Sequence, residues 1–192
     1  MGTLFVDNLK HQSSQGSGTI TLGASGETIA LASGASVTGN GLVGITMADQ
    51  FRITANITSD TYPISSNLEQ VDTAPQGTLG TGMSVSSGYW TFPSTGIYLV
   101  RFCAYVQASN DNVRIFINGT TDNSNYVNLV EAYAGANAAR HQNAIAESLV
   151  DVTDTTNVKI NFGATSITSP SIIHGNTDRN ESYMTFIRLG DT

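Results

Sequence analysis

The chain of 192 residues is poor in charge, in cysteine and in long apolar runs, and each shortage excludes a class of protein. Charged residues make up 12% of the sequence, and 8 Lys and Arg against 15 Asp and Glu give a net charge of −7. Eight scattered basic residues cannot form the basic patch that a phosphate backbone requires, so nucleic acid is not expected as a partner. The single cysteine excludes an intrachain disulfide framework and a zinc-thiolate site. No run of about 18 apolar residues occurs, so no membrane insertion is expected.

The first residues also lack the features of an export signal. A secretory signal needs a basic segment followed by an apolar one, and the N-terminal stretch MGTLFVDN has neither. The expectation is a protein that is made in the cytoplasm and is not secreted through a signal peptide.

Small polar residues are abundant instead. Ser, Thr, Asn and Gly together account for 79 of the 192 residues. Helix surfaces are built mainly from Glu, Lys, Arg and Gln, which are scarce here, whereas short strands and turns favour the residues that are present. The hydrophobic fraction of 40% is enough for a packed core. The composition therefore predicts an all-β protein.

Residues 1–45 differ from the rest of the chain, because they hold nine of the nineteen glycines and no proline. Two similar units, TITLGASG from residue 19 and TIALASGA from residue 28, lie nine residues apart. Each unit offers only two aliphatic side chains, which cannot outweigh a backbone entropy of about 1–2 kcal/mol per residue. We expect three chains to wind into a β stalk, although a flexible Gly/Ser linker remains an alternative. The stalk core would contain Ile20, Leu22, Ile29 and Leu31.

Residues 46–192 form the predicted head domain, where apolar residues recur with period two. Phe51, Ile53 and Ile57 alternate with polar residues such as Arg52, which predicts a strand with one solvated face. Seven further strand-like runs are separated by turn residues, and eight or so short strands favour a sandwich or jelly roll. These runs cover residues 83–92, 97–108, 112–118, 126–134, 144–152, 157–164 and 182–189. Asn118-Gly119 is predicted to be a two-residue hairpin turn.

Two of these runs, 97–106 and 182–189, are apolar on both faces. In an antiparallel sandwich the second face of a strand is normally solvated and polar. A chain without helices would cover such faces with another subunit, so an oligomer is expected. Cys103 lies within the first run and is interpreted as a small buried hydrophobic residue.

Residues that carry chemistry are sparse. His11, His141 and His174 lie in unrelated stretches, without the spacing of a metal site. No nucleophile elbow or phosphate-binding loop occurs, so an enzyme is not expected. No cofactor is expected either, with calcium left open at the oxygen-rich turns 122–125 and 151–154.

A family resemblance lies in residues 88–100 and in the last strand. The stretch GYWTFPSTGIYLV resembles the signature strand pair of the globular head of complement's first component, a jelly-roll superfamily shared with tumour necrosis factor. The run 182–189 resembles the closing strand of that family, which ends next to a three-fold axis. The resemblance covers residues 50–192 and implies a ten-stranded jelly roll that forms a homotrimer above a stalk. The signature positions, expected in the core or in trimer packing, are Gly88, Trp90, Phe92, Pro93, Gly96, Tyr98, Tyr183 and Phe186.

A short stalk followed by such a head is similar to small structural proteins of marine tailed bacteriophages. This similarity implies a virion fibre or spike that docks on capsid or tail proteins through its N-terminus and projects its head, with host attachment as a further role. A dedicated receptor- or glycan-binding module and a capsid decoration protein are the alternatives. The polar loops 108–112, 122–125, 135–143 and 168–180 would then face a receptor such as a host surface glycan. The side chains expected near that receptor are Tyr126, Tyr133, Arg140 and Arg179.

Overall fold

The computed structural model describes residues 44–109, 112–136 and 140–192, and within these ranges it contains eleven β-strands and no helix. No described segment could therefore cross a membrane as a helix. The all-β expectation is confirmed. The strands are β1 (Met47–Ile53), β2 (Leu68–Gln70), β3 (Ser84–Ser86), β4 (Tyr89–Thr91), β5 (Gly96–Gln107), β6 (Val113–Thr120), β7 (Val127–Ala134), β8 (His141–Val152), β9 (Lys159–Thr165), β10 (Ile172–Ile173) and β11 (Tyr183–Gly190).

The strands form two antiparallel sheets that pack face to face. In the first sheet the order is β2, β1, β11, β5 and β8, and the short β10 pairs with the end of β5. In the second sheet the order is β3, β4, β9, β6 and β7. The long strand β5 pairs with β8 over its whole length and with β11 on its other side. This arrangement places β5 and β11 inside the first sheet, with an inner face toward the core and an outer face away from it.

The core lies between the sheets and follows the period-two pattern. Trp90 of β4 is fully buried and forms close ring contacts with three other aromatic residues. Its ring centroid lies 4.8 Å from that of Phe51, 5.0 Å from that of Phe186 and 5.6 Å from that of Phe162. Phe51 and Phe186 belong to the first sheet, whereas Trp90 and Phe162 belong to the second, so this aromatic group joins both sheets. Burying one such side chain stabilises the fold by roughly 1.5–3 kcal/mol.

The predicted hairpin turn at Asn118-Gly119 is wrong, because both residues lie inside β6 and pair with β9. The strand continues to Thr120, and a bulge in β7 absorbs the shift in register between Ile117 and Asn118. A two-residue turn of the expected kind occurs instead at Ser87-Gly88, where φ is 51° and 82°. Positive φ at both central residues is the requirement of a type I′ turn. The run 83–92 is consequently a hairpin of β3 and β4 rather than one strand.

The predicted solvated face of β1 is wrong at Arg52, which is fully buried. Its guanidinium donates to Glu69 at 2.8 Å, to Asp72 at 2.6 Å and to the hydroxyl of Thr73 at 3.0 Å. Strand β2 and the residues after it therefore fold over the outer face of β1 at this position. Three residues are too few for β2 to reveal a period in the sequence.

The predicted stalk core of Ile20, Leu22, Ile29 and Leu31 lies outside the described residues. The stalk and the domain boundary at residue 45 stay predictions.

Candidate assembly surface

An apolar row crosses the outer face of the first sheet. Ile187 of β11 pairs with Leu99 of β5 on one side and with Ala48 of β1 on the other, and Leu99 pairs in turn with Leu149 of β8. Leu79 extends the row through an isolated bridge to Ala48. Leu149 is 63% exposed and Leu79 49% exposed, while the three central side chains are half-buried. We call these five residues the apolar row.

A polar row runs beside it. Arg101 of β5 forms an ion pair of 2.5 Å with Glu147 of β8, its cross-strand neighbour. On the other side of β5, Thr185 accepts a hydrogen bond of 3.0 Å from the Gln50 side chain. These groups satisfy one another within the chain, so covering the face would leave no unpaired charge among them.

A third row is again mainly apolar. Cys103 of β5 pairs with Ile145 of β8 and with Tyr183 of β11. Ile145 is 54% exposed, whereas Cys103 is buried as the sequence suggested. Burial raises the pKa of the Cys103 thiol despite a hydrogen bond with Tyr183, which leaves the thiol protonated and a poor nucleophile.

Four of the eight signature residues lie in the core of a single chain rather than on this face. Trp90, Phe92, Tyr98 and Phe186 are at most 1% exposed, so they take the core position that was one of the two expected for the signature residues. The Tyr98 hydroxyl donates to the Ser94 carbonyl at 2.9 Å, so even its polar end is used inside the chain.

The other signature residues shape turns or face outward. Gly88 and Gly96 adopt φ of 82° and 141°, which L side chains rarely adopt. Pro93 is half-buried in the connection between β4 and β5. Tyr183 is the signature residue on the outer face, beside Cys103. Leu79, Ile145 and Leu149 were not predicted from the sequence as residues of this surface. The period-two spacing of Ile145 and Leu149 along β8 is a signal that could have indicated these two.

The predicted receptor-facing residues do not form one site. Tyr126 precedes β7, whereas Tyr133 lies near its other end, so the length of the strand separates them. Arg140 directly precedes β8, and its exposed side chain lies toward the same end as Tyr133. Arg179 is exposed and pairs with Glu181 at 2.5 Å. The loop 122–125 follows β6 and lies at the opposite end of the sandwich from the C-terminal ends of β5, β7 and β9.

The oxygen-rich turns use their carboxylates to hold themselves together. Asp122 accepts hydrogen bonds from the Ser124 and Asn125 amides at 2.9 and 2.7 Å, and these bonds hold its pKa far below the ordinary value. Asp154 accepts from the Thr156 amide at 2.7 Å in the same way. In the described part of the chain no three His, Cys, Asp or Glu residues group closely enough to hold a metal ion. Calcium at these turns stays untested.

An edge cleft of about 380 Å³ opens where β7 of the second sheet passes β8 of the first. Val127 and Leu129 line it, with 62% and 40% of their surface exposed, together with Leu149 of the apolar row. Leu129 lies in the bulge of β7 and leans against Gly119. The edge cleft therefore joins the apolar row at Leu149 and extends it around the side of the sandwich.

Comparison with known proteins identifies the fold alone. No family model and no curated protein matches the chain. The structure of Eiger TNF from S. frugiperda superposes with a TM-score of 0.58 at 12% identity, over 77% of this chain and 95% of that chain. Murine APRIL at pH 5.0 gives 0.57 at 9% identity, over 74% and 98%. The globular domain of zebrafish complement 1qA gives 0.48 at 12% identity, over 73% and 94%. The fold is a tumour-necrosis-factor-like jelly roll.

The jelly roll confirms the fold that the resemblance implied for residues 50–192. At 9–12% identity the likeness carries no function, and nothing in these comparisons supports a bacteriophage origin. The function of such a fold depends on the chemistry of its surface.

Proposed function

We propose that the chain is a non-enzymatic structural protein whose jelly-roll head assembles as a homotrimer through the outer face of its first sheet. The observation that carries the proposal is the apolar row. Leu99 and Ile187 lie at the centre of the first sheet, where a solvated face would carry polar side chains. A second copy of the chain is the simplest cover for an apolar stripe of this kind.

A three-fold ring requires two different, complementary patches on each chain. The outer face of the first sheet supplies one patch, and the edge cleft with Val127 and Leu129 supplies the other. The edge of one head would then rest against the sheet of the next. Arg101 and Glu147 enter this contact already paired, which limits the desolvation penalty of burying them.

Light scattering on the purified full chain tests this assembly. The expected mass is three times the chain mass of 20.2 kDa. A monodisperse monomer at micromolar concentration would contradict the proposal, and a dimer would contradict the ring.

The biological setting that we propose is a virion fibre or spike. Its support is the sequence of residues 1–45, a Gly-rich segment with a nine-residue repeat ahead of the head. In this setting residues 1–45 form the stalk and dock on capsid or tail proteins. A density map of the purified particle should contain a projecting three-fold head, and deletion of residues 1–45 should release the chain from particles. A truncated chain that still copurifies with particles would place docking in the head.

A further inference from the structure

The outer face of the second sheet carries a row of three asparagines on neighbouring strands. Asn118 of β6 pairs with Asn161 of β9 on one side and with Asn128 of β7 on the other. The Asn128 amide donates to the Asn118 side-chain oxygen at 3.1 Å, and the Asn118 amide donates to the Tyr62 hydroxyl at 3.0 Å. Three side-chain amides therefore follow one another across the sheet.

Three tyrosines from distant parts of the sequence surround this row. Tyr89 begins β4 and pairs with Asn161, and its ring centroid lies 5.3 Å from that of Tyr126. Tyr62 precedes β2, and its ring lies 5.4 Å from that of Phe116. Tyr62 is 52% exposed and Tyr89 41% exposed, so both rings present apolar surface to the outside. We call these three tyrosines, with Asn118, Asn128 and Asn161, the tyrosine–asparagine cluster.

The cluster contains buried polar atoms that no described group of the chain satisfies. Asn161 is 0% exposed, and neither its side-chain oxygen nor its side-chain nitrogen has a hydrogen-bond partner among the described residues. The Tyr126 hydroxyl is buried and unpartnered in the same sense. A buried polar group without a partner costs about 1–3 kcal/mol, and nearly all such groups in folded proteins are paired. Within the described residues these atoms are therefore free to bind a ligand.

Charged groups near the cluster are engaged elsewhere. Arg114 pairs with Glu131 at 2.5 Å and lies over the Phe116 ring. The Lys159 ammonium donates to the Thr91 hydroxyl at 2.9 Å and to the Thr155 carbonyl at 2.7 Å. The Asp122 carboxylate accepts a hydrogen bond from the Asn125 amide within its own turn. The surroundings therefore favour an uncharged ligand over an anion or a cation.

We propose that the tyrosine–asparagine cluster binds a neutral saccharide. A hydroxyl group both donates and accepts hydrogen bonds, which matches an asparagine amide and a tyrosine hydroxyl. The C–H faces of a pyranose ring are apolar and pack against aromatic rings such as those of Tyr62 and Tyr89. Asn161 is the buried member of the cluster and pairs with Tyr89, so we expect a rotamer change of the exposed Tyr89 ring, a motion that takes nanoseconds or less, to open the Asn161 amide to the ligand. The site lies within one chain and does not depend on the proposed trimer.

Saccharide titrations of the full chain test the site. The probes are glucose, galactose, mannose, N-acetylglucosamine, maltose and cellobiose. Binding is measured by saturation-transfer NMR and by calorimetry. At least one of them should bind with a dissociation constant of about 1 mM or tighter. If none binds at 10 mM, the proposal is overturned and ordered water is the partner of Asn161.

Two variants and a matched control locate the binding. Asn161→Leu should weaken binding at least tenfold without lowering the melting temperature, because it removes an amide that has no partner within the chain. Tyr89→Ala should weaken binding to a similar extent, and its exposed position spares the fold. Tyr133→Ala should leave the affinity unchanged, since Tyr133 is 55% exposed on the same sheet, outside the cluster. Equal affinity in all four proteins would overturn the assignment.

Discussion

The two sheets of the sandwich share one core but present opposite outer faces. The first sheet exposes the apolar row, centred on Leu99 and Ile187, whereas the second exposes the rings of Tyr62 and Tyr89 beside the buried amides of Asn118 and Asn161. An apolar face gains most from a flat and extensive cover, such as another copy of the chain. A face with unpartnered amides gains from a small ligand that forms hydrogen bonds. Under the two proposals, the jelly roll uses one sheet for assembly and the other for ligand binding.

The largest expected effect is on the free energy of unfolding, when a core-facing and an outward-facing residue of the same strand are compared. Phe186 and Ile187 are neighbours in β11, but Phe186 is fully buried against Trp90 while Ile187 faces outward. Phe186→Ala should lower the free energy of unfolding by about 3–5 kcal/mol, the usual result of opening a cavity in a core. Ile187→Ala should lower the free energy of unfolding of the monomeric chain by much less. Denaturant titrations measure both values. Equal losses would contradict the assignment of the two faces.

The second effect concerns assembly. Leu99→Asp places a charge in the middle of the apolar row, where a covering subunit would leave it buried and unpaired. The mass in light scattering should fall from three chains to one, while the variant keeps a cooperative thermal transition. Tyr133→Asp is the matched control, because it adds the same charge to the outer face of the second sheet. A Leu99→Asp trimer, or a Tyr133→Asp monomer, would reverse the roles of the two faces.

The sequence predicts features that depend on neighbouring residues of the chain, and it does not predict features that depend on contacts between distant segments. Period-two alternation correctly indicated that β5 and β11 are apolar on both faces, because the pattern is local to each strand. Arg52 was misread as solvated, since its acidic partners Glu69 and Asp72 belong to a later segment. Asn118-Gly119 has the composition of a turn, but pairing on both sides keeps it in a strand.

The tyrosine–asparagine cluster could not be predicted from the sequence for the same reason. Tyr126 was chosen as a loop residue beside polar neighbours, whereas its ring lies against Tyr89, which comes 37 positions earlier by the residue numbers. Asn118 and Asn161 belong to different strands, and only the register of β6 and β9 brings them together. No local pattern marks residues whose common site depends on strand pairing.

The third effect tests how tightly the second face is packed. A Cβ added at Gly163 of β9 would lie 2.2 Å from the Phe116 ring, which in turn contacts Tyr62. Gly163→Ala should lower the free energy of unfolding by about 1–3 kcal/mol, as overpacking does, and should weaken saccharide binding by displacing Tyr62. Gly77→Ala is the control, because nothing lies within 4 Å of its added Cβ. Equal stability of the two variants in denaturant titrations would contradict this packing.

The smallest effect is a pH dependence at the turn that leads into Tyr126. Hydrogen bonds from Asn125, Thr120 and Ser124 stabilise the Asp122 carboxylate and lower its pKa well below the ordinary value of 3.8. A carboxyl group whose pKa is lowered by folding stabilises the protein above its unfolded pKa, and this contribution disappears as the pH falls toward the folded pKa. Asp122→Ala should therefore lower the melting temperature at pH 7, and its difference from the parent chain should shrink below about pH 4. Asp178→Ala removes an exposed carboxylate from a different loop and should leave the melting temperature unchanged at both pH values. If the Asp122→Ala difference is the same at pH 7 and pH 3, the carboxylate does not hold the turn, and Tyr126 is positioned by its contact with Tyr89 instead.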